Sequence, residues 1–364
     1  MPFRPRIRHV ALAAAAATAL VLSGCAASPS GSDETTAASS DAFPVSFESN
    51  FGTAEIEAAP TRVATWGWGS TEAALAVGVV PVAMAQQSYG ANADGVLPWV
   101  AKKLEELGAE TPTLLTDDGE TVPYEEIIEA EPDVILAPYS GVTQEQYDTL
   151  SDIAPVVAYT GDAWTTPWRD VISTVGEALG KSTEADAVLA DLDKTLADQA
   201  EAHPELDGKT IAAVWDVGGT FYVYKSADPR VEFLSALGLK NAPSVDELDN
   251  GEAPFYYTLS YEQLDKLDSD IILSYSDTQE EADAFLTTPT TKALPAVGRG
   301  AAAQVVGTEF IAAVSPPTAL SLTWGLDDLV ASLSAAAAKS CPDPAASADR
   351  VARERCEPAY RDHS

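Results

Sequence analysis

Short apolar segments alternate with amphipathic helical patterns along most of the chain, from Arg62 onward. In the first half, the segments typical of buried strands are Val63–Trp66, Pro81–Ala85, Asp133–Tyr139 and Pro155–Tyr159. In the second half, they are Thr210–Trp215, Phe221–Tyr224, Asp270–Tyr275 and Gln304–Val306. Helical patterns such as Ser70–Val77 lie between them. This alternation predicts an α/β fold in which helices pack on mostly parallel sheets.

A long helical pattern separates the two halves. It runs from Pro167 to about Ala202, and apolar residues recur in it mainly at helical spacings. Gly176 and Gly180 are the positions at which it could be interrupted. A second long pattern, Pro317 to Ala338, predicts a closing helix.

The two halves also resemble each other in sequence. The segment YEEIIEAEPDVIL (124–136) overlays YEQLDKLDSDIIL (261–273), with the Tyr, the first Glu, Asp, Ile and Leu identical. A helix followed by a buried strand can converge on such a pattern. Together with the long helix between the halves, the repeat predicts two similar α/β lobes with a ligand cleft between them.

The amino terminus has the pattern of a secretory signal. Arg4, Arg6 and Arg8 precede an apolar run, Val10–Leu22, that is shorter than the roughly 20 residues of a bilayer span. The run ends in LSGC, which resembles the bacterial lipobox and implies acylation of Cys25. The alternative is an ordinary signal peptide with a chance cysteine.

Charge and reactive side chains exclude several classes of function. The net charge of −35 repels nucleic acid and gives no support for binding anionic lipid. Cys341 and Cys356 are expected to form a disulfide in an oxidising compartment, the alternative being two free thiols. The three histidines, His9, His203 and His363, do not cluster, which disfavours zinc binding and the direct capture of free metal ions.

Five segments in this order resemble the helix-linked class of periplasmic-type substrate-binding proteins, which serve ABC importers for iron–siderophore complexes, haem and cobalamin. The segments are PTRVATWGWGSTEAALAVGVVPVAMA (60–85), PYEEIIEAEPDVILAPYSG (123–141), PWRDVISTVGEALG (167–180), ADPRVEFLSALGL (227–239) and VGTEF (306–310). The resemblance spans about Phe43–Leu333 and is closest to the ferric-siderophore branch. It implies two Rossmann-like lobes bridged by one long α-helix, with the ligand cleft between the lobes.

The resemblance also implies an organisation and a function. The expected segments are a signal peptide (1–24), a lipidated cysteine with a flexible tether (25–42), an N-terminal lobe (43–166), a connecting helix (167–203), a C-terminal lobe (204–338) and a tail with the disulfide (339–364). The expected function is that of an extracytoplasmic lipoprotein, anchored to the cell membrane, that captures a ferric siderophore. No resident cofactor is implied, because the iron belongs to the ligand. Haem or cobalamin is the alternative cargo.

The partner implied by the resemblance is an ABC permease driven by a cytoplasmic ATPase. In the family, one carboxylate on each lobe docks against permease arginines, and the matching positions here are Glu125 and Glu262. The internal repeat places these two glutamates at equivalent sites of the two lobes. The alternative is that both are ordinary solvated charges on a helix surface.

Aromatic side chains dominate the predicted cleft, because their rings give a bulky ligand contact area at small entropic cost. The candidate ligand-binding residues are Trp66, Trp68, Tyr89, Tyr139, Trp164, Trp215, Tyr222, Arg230 and Tyr275. Trp168 is expected in the core. Arg230 matches an arginine position of siderophore binders, but basic residues common elsewhere in relatives are missing here. This departure favours a neutral or weakly charged cargo, such as a ferric hydroxamate, over an anionic tris-catecholate.

Two other classes of protein fit the sequence less well. A hydrolase lacks histidines in plausible positions, and the residues Gly67-Trp68-Gly69-Ser70 form neither a nucleophile elbow nor a full dinucleotide fingerprint. A purely structural or adhesive surface protein is disfavoured by the duplication into two lobes.

Overall fold

The computed structural model describes residues 42–118 and 121–340. The predicted signal peptide, the lipidation at Cys25 and the disulfide between Cys341 and Cys356 lie outside the described residues. Within them, no helix is both long enough and apolar enough to cross a membrane.

The N-terminal lobe is a parallel sheet covered by helices. A hairpin of β1 (Val45–Glu48) and β2 (Thr53–Ile56) precedes the sheet strands β3 (Val63–Thr65), β4 (Ala83–Ala85), β5 (Thr113–Leu115), β6 (Val134–Ala137) and β7 (Val156–Ala158). The helices are α1 (Ser70–Ala76), α2 (Pro98–Glu106), α3 (Tyr124–Glu129) and α4 (Gln144–Ser151). The strand order β5-β4-β3-β6-β7 is that of a doubly wound α/β fold, which confirms the Rossmann-like prediction.

The connection between the lobes consists of two helices rather than the single helix predicted over 167–203. They are α5 (Trp168–Ala178) and α6 (Ser182–Ala202). The break lies at Gly180, whose φ of +64° is in the left-handed region that suits glycine and ends a helix. The 21 residues of α6 extend roughly 30 Å and contact helices of both lobes, so α6 is the long bridging helix.

The C-terminal lobe has a mixed sheet. Its strands are β8 (Thr210–Val217), β9 (Thr220–Tyr224), β10 (Lys240–Asn241), β11 (Tyr256–Thr258), β12 (Ile271–Ser276) and β13 (Ala302–Val306). The strand order is β11-β9-β8-β12-β13, with β10 also paired to β8. Strands β9 and β11 run antiparallel to their neighbours, whereas β8, β10, β12 and β13 are parallel.

Short helices cover this second sheet, and one long helix closes the chain. They are α7 (Pro229–Glu232), α8 (Pro243–Glu247), α9 (Gln279–Thr287), α10 (Pro295–Arg299), α11 (Thr308–Val314) and α12 (Leu322–Ser340). Single 3₁₀ turns occur at Pro204–Leu206, Phe233–Leu237, Tyr261–Lys266 and Thr291–Ala293. The predicted closing helix therefore exists but begins five residues later than expected, at Leu322, after a run that contains Pro316 and Pro317.

The sequence repeat occupies equivalent places in the two lobes. In each lobe it forms a helical turn followed by a strand, β6 or β12, that pairs with the first strand of that lobe's sheet. In each lobe, the aspartate directly before the repeated strand makes the same pair of hydrogen bonds. Asp133 accepts hydrogen bonds from the backbone N–H and hydroxyl of Thr61 at 2.7 and 2.8 Å. Asp270 accepts the same pair from Thr210 at 2.8 and 3.0 Å. Each aspartate thus ties the repeated strand to the start of the first strand.

One carboxyl group is buried where the lobes meet. Glu72 of α1 is only 3% exposed and accepts a hydrogen bond from the indole N–H of Trp99 at 3.1 Å. Burial raises the pKa of Glu72, and hydrogen bonds that include those of Trp99 and of Thr318 from the second lobe only partly oppose this.

The duplicated aspartate contact predicts a loss of stability on truncation. Replacing Asp270 by Ala leaves the N–H and hydroxyl of Thr210 without their acceptor, so we expect the free energy of unfolding to fall by about 1–3 kcal/mol. Denaturant titration measures this. Asp265→Ala, at an exposed position in the 3₁₀ turn that precedes Asp270, is the control. Equal effects of the two substitutions would contradict a specific role of Asp270.

The burial of Glu72 predicts a pH dependence of stability. An unfolded Glu ionises near 4.5, whereas the folded one ionises at higher pH, so the folded state binds more protons between these two values. Stability therefore falls as the pH rises through that interval. Glu72→Gln keeps an acceptor for Trp99 but has no charge, so we expect it to abolish this fall and to be more stable than wild type at pH 8.

Denaturant titrations at pH 5 and pH 8 test this expectation. The matched control is Glu129→Gln, at an exposed position on α3. A Glu72→Gln variant that follows the wild-type pH dependence would show that Glu72 does not ionise at an elevated pH.

Candidate functional site

The candidate site lies where the carboxyl ends of the strands in the two sheets meet. Tyr89 follows β4 and Tyr139 follows β6 in the first lobe, while Trp215 lies near the end of β8 and Tyr275 near the end of β12 in the second. The Tyr89 ring is 6.3 Å from the Trp215 ring. The Tyr89 hydroxyl also donates a hydrogen bond to the carboxylate of Asp277. These contacts cross from one lobe to the other at the strand ends, where open α/β folds bind ligands.

A row of aromatic rings covers one face of the second sheet. Trp215 lies opposite Tyr222 on β9 and opposite Tyr275 on β12, so the three side chains share a face. Tyr224 is two residues beyond Tyr222 and lies on that face too. The Tyr275 ring is 6.0 Å from the Trp215 ring and 6.1 Å from the Tyr224 ring. Tyr222 packs instead on Tyr256, with their rings 5.6 Å apart.

Arg230 lies beside this row and is held by Asp228. Asp228 is the N-cap of α7, and its Oδ1 accepts hydrogen bonds from the backbone N–H of Arg230 at 2.9 Å and from its Nε at 2.8 Å. The guanidinium carbon is 3.9 Å from the centroid of the Tyr224 ring. The two terminal nitrogens of Arg230 make no hydrogen bond to a carboxylate or a carbonyl of the described residues. The arginine is therefore oriented from one side, with its terminal N–H groups available as donors.

The electrostatics of this cluster keep its arginine charged and its phenols neutral. Burial alone would lower the pKa of Arg230, but the Asp228 carboxylate and nearby phenols, including Tyr275 and Tyr139, raise it overall. Burial raises the pKa of Tyr139, and the Asp228 charge adds to that effect. Burial together with Asp277 also raises the pKa of Tyr89. The phenols therefore remain protonated and can donate hydrogen bonds.

The first lobe adds a second group of rings. Tyr139 packs edge-on against Trp164 with their centroids 5.4 Å apart. Trp164 is 37% exposed and has a φ of +61°, an uncommon conformation for a large side chain. The indole N–H of Trp68 donates to the carbonyl of Pro316 in the second lobe at 3.1 Å. Trp68 and Tyr139 together line a small pocket between the lobes, with Pro316 and Thr318 of the second lobe on its other side.

The structure brings most of the predicted ligand-binding residues together. Tyr89, Tyr139, Trp215, Arg230 and Tyr275 form the cluster, and Trp68, Trp164 and Tyr222 adjoin it through the contacts above. Trp66 lies apart from it. It is 9% exposed and packs in the separate core of the first lobe with residues such as Ala137 and Tyr159. Trp168 is buried in the core, as predicted.

Two acidic residues of the site were not anticipated from the sequence, namely Asp228 and Asp277. Asp228 stands two residues before Arg230 in ADPRVEF, a spacing that suits an N-cap. Asp277 follows the last residue of β12 directly, so it was recognisable only as a polar residue at a strand end. Tyr224 and Tyr256 were also absent from the predicted site, although Tyr224 alternates with Tyr222 along β9.

The two glutamates predicted to dock on a permease both lie in the first turn of a helix and are exposed. Glu125 is the second residue of α3, and Glu262 is the second residue of the 3₁₀ turn Tyr261–Lys266. No ion pair within the described residues uses either carboxylate. Their positions are equivalent in the two lobes, because each turn precedes the strand next to the first strand of its sheet.

The chain is similar to two known proteins whose names both refer to the binding of siderophores or iron(3+)-hydroxamates. The chain is 26% identical over 297 residues to a probable siderophore-binding lipoprotein of Bacillus subtilis, YfiY, covering 79% of this chain and 86% of YfiY. It is 25% identical over 242 residues to the iron(3+)-hydroxamate-binding protein YxeB of the same organism, covering 63% of this chain and 66% of YxeB.

A solved structure matches most of the chain. PiaA of Streptococcus pneumoniae, crystallised in complex with ferrichrome, superposes with a TM-score of 0.74 at 35% identity, covering 81% of this chain and 99% of PiaA. The model of the periplasmic binding protein family matches residues 63–305, which include the sheets of both lobes except the last residue of β13, while the hairpin of β1 and β2 precedes the match. The family predicted from the sequence motifs is thereby confirmed, and the chain belongs to the periplasmic binding proteins.

Proposed function

We propose that this protein captures a ferric siderophore outside the cytoplasm and delivers it to the permease of an ABC importer. The observation that carries this proposal is the cluster between the lobes. It combines a charged arginine, whose terminal N–H groups make no hydrogen bond to a carboxylate or a carbonyl of the described residues, with aromatic rings from both lobes. Oxygen atoms that coordinate iron are hydrogen-bond acceptors, and the organic frame of a siderophore offers apolar surface to rings.

The class of cargo follows from the neutral donors and from the relatives. Neutral phenols and a single arginine suit oxygens of low net charge, such as those of a ferric hydroxamate. One relative is named for iron(3+)-hydroxamate binding, and another was crystallised with ferrichrome. Both names support the hydroxamate hypothesis drawn from the sequence.

The family works outside the cytoplasm, and a lipid anchor at Cys25 would keep this protein near its permease. The supporting observations are the lipobox-like LSGC and a relative named as a lipoprotein. Such an anchor would hold the lobes within reach of a permease in the same membrane.

Exposure and symmetry support a docking role for Glu125 and Glu262. A permease built of two subunits would present two similar surfaces, and the repeat supplies one exposed carboxylate on each lobe. Rim charges of this kind act on association with the partner more than on the stability of either protein alone.

The first prediction of this proposal concerns ligand binding. We expect ferrichrome, a neutral ferric hydroxamate, to quench the tryptophan fluorescence saturably at sub-micromolar concentration, since Trp215 lies within the cluster. Arg230→Lys keeps the charge beside Asp228 but loses the planar fork, and we expect it to weaken binding about 10- to 100-fold.

A matched control exists for this substitution. Arg169 stacks on Trp168 at 4.1 Å and pairs with Asp193 and Glu232, so Arg169→Lys changes a similar environment outside the cluster. We expect wild-type affinity for this control. The same titration would be repeated with a panel of ferric hydroxamates, ferric catecholates, haem and cobalamin. If none of these ligands quenched the tryptophan fluorescence of folded wild-type protein, the transport proposal would fail.

The second prediction concerns delivery. Glu125→Ala combined with Glu262→Ala should reduce siderophore uptake in cells or proteoliposomes at least tenfold while the affinity of the isolated protein for its ligand stays within twofold of wild type. Glu129→Ala combined with Asp265→Ala removes two exposed carboxylates from the same two helical segments and is the control. Equal uptake by the two double variants would refute docking through the predicted glutamates.

A further inference from the structure

The basic side chains near the cluster are each neutralised by a carboxylate. Lys225, next to Tyr224 in the chain, pairs with Asp249 at 2.6 Å. Arg169, at the start of α5, pairs with Asp193 at 2.6 Å and with Glu232 at 3.1 Å. Because Lys225 and Arg169 are already paired, the charge that a ligand meets at the cluster is set by Arg230 and the groups around it.

The charge of Arg230 is matched within the site itself. The Asp228 side chain is 1% exposed, and that of Arg230 is 12% exposed, so solvent screens neither charge strongly. Only Oδ1 of Asp228 bonds to the arginine, while its Oδ2 is buried without a hydrogen-bond partner among the described residues. The pair has no net charge, yet the terminal N–H groups of the arginine remain donors.

A second carboxylate lies at the same cluster. Asp277 accepts the hydrogen bond from Tyr89, whose ring is 6.3 Å from that of Trp215. Tyr89 is also near enough to Tyr224 for the two phenols to interact electrostatically. Asp277 has no ion pair among the described residues, so the cluster as a whole carries net negative charge.

We propose that Asp228 and Asp277 make this site select its cargo by charge, accepting neutral or cationic ferric complexes and repelling polyanionic ones. This inference rests on the proposed function and identifies the residues that set its specificity. Asp228 is a positioning residue that also cancels the charge of Arg230, so the arginine recognises oxygens by hydrogen bonding rather than by net attraction. Asp277 adds repulsion against a wrong partner, which is the second requirement of specificity.

The size of the effect depends on the charge of the complex. Coulomb energy is proportional to the product of the charges, so one negative charge removed from the site affects a trianion three times as much as a monoanion and does not act on a neutral complex in this way. Partly buried charges are weakly screened by salt. A change of at least tenfold in selectivity per carboxylate is therefore expected for a trianionic ligand.

The test compares two probes across variants of the full mature protein. Ferrichrome is the neutral probe and ferric enterobactin, a trianionic tris-catecholate, is the anionic one. Asp228→Asn retains an oxygen for the N–H groups of Arg230, and Asp277→Asn retains an acceptor for Tyr89. We expect each substitution to shift the ratio of the two dissociation constants at least tenfold toward the trianion. Asp265→Asn, at an exposed position outside the cluster, should leave the ratio at the wild-type value.

The outcomes separate this inference from the proposed function. If wild type bound ferric enterobactin as tightly as ferrichrome, or if both substitutions left the ratio unchanged, charge selection would be overturned while siderophore binding stood. If the substitutions only disturbed the structure, they would weaken the binding of both siderophores equally and leave the ratio unchanged. That result would likewise overturn charge selection. If wild type bound no ferric siderophore, the proposed function would fall first, and this inference with it.

Discussion

The burial of one guanidinium between the lobes governs the chemistry of the site. A buried charge is costly unless a partner and hydrogen bonds compensate it, and Asp228 supplies both to Arg230. The same carboxylate caps α7, so one side chain sets the start of a helix and the direction of the arginine. The ring of Tyr224 covers one face of the guanidinium. With its Nε engaged and one face covered, the arginine can meet a ligand only through its terminal N–H groups.

The architecture brings the rest of the site to that arginine. Parallel strands end at a common edge, and each lobe directs such an edge toward the other, so residues distant in sequence meet there. The hydrogen bond from Tyr89 to Asp277 and that from Trp68 to Pro316 both join the lobes directly. The rings and the acidic residues therefore form one surface across two lobes.

Much of the fold could be predicted because its signals are local. The eight predicted strands all exist, since a buried parallel strand needs a continuous apolar run such as Val134–Ala137. Five strands were missed, namely β1, β2, β5, β10 and β11, because each is only partly buried, lacks a continuous apolar run and depends on pairing with a neighbour. The sequence marked Gly180 as a position where the helix could break, and the break occurs there because α5 and α6 turn to pack on each other, with Gly176 against Ala185.

The sequence by itself determined the fold class, the duplication into two lobes, the family and most of the aromatic residues of the cleft. It did so because periodicity, repeats and motifs are properties of neighbouring positions. The tertiary structure decided which side chains meet: Trp66 packs in a core, whereas Trp68, two residues on, reaches the second lobe. It also decided that Arg230 is neutralised by Asp228 and that Asp277 lies at the same site. Charge compensation depends on distances in space, and those distances exist only after the lobes have come together.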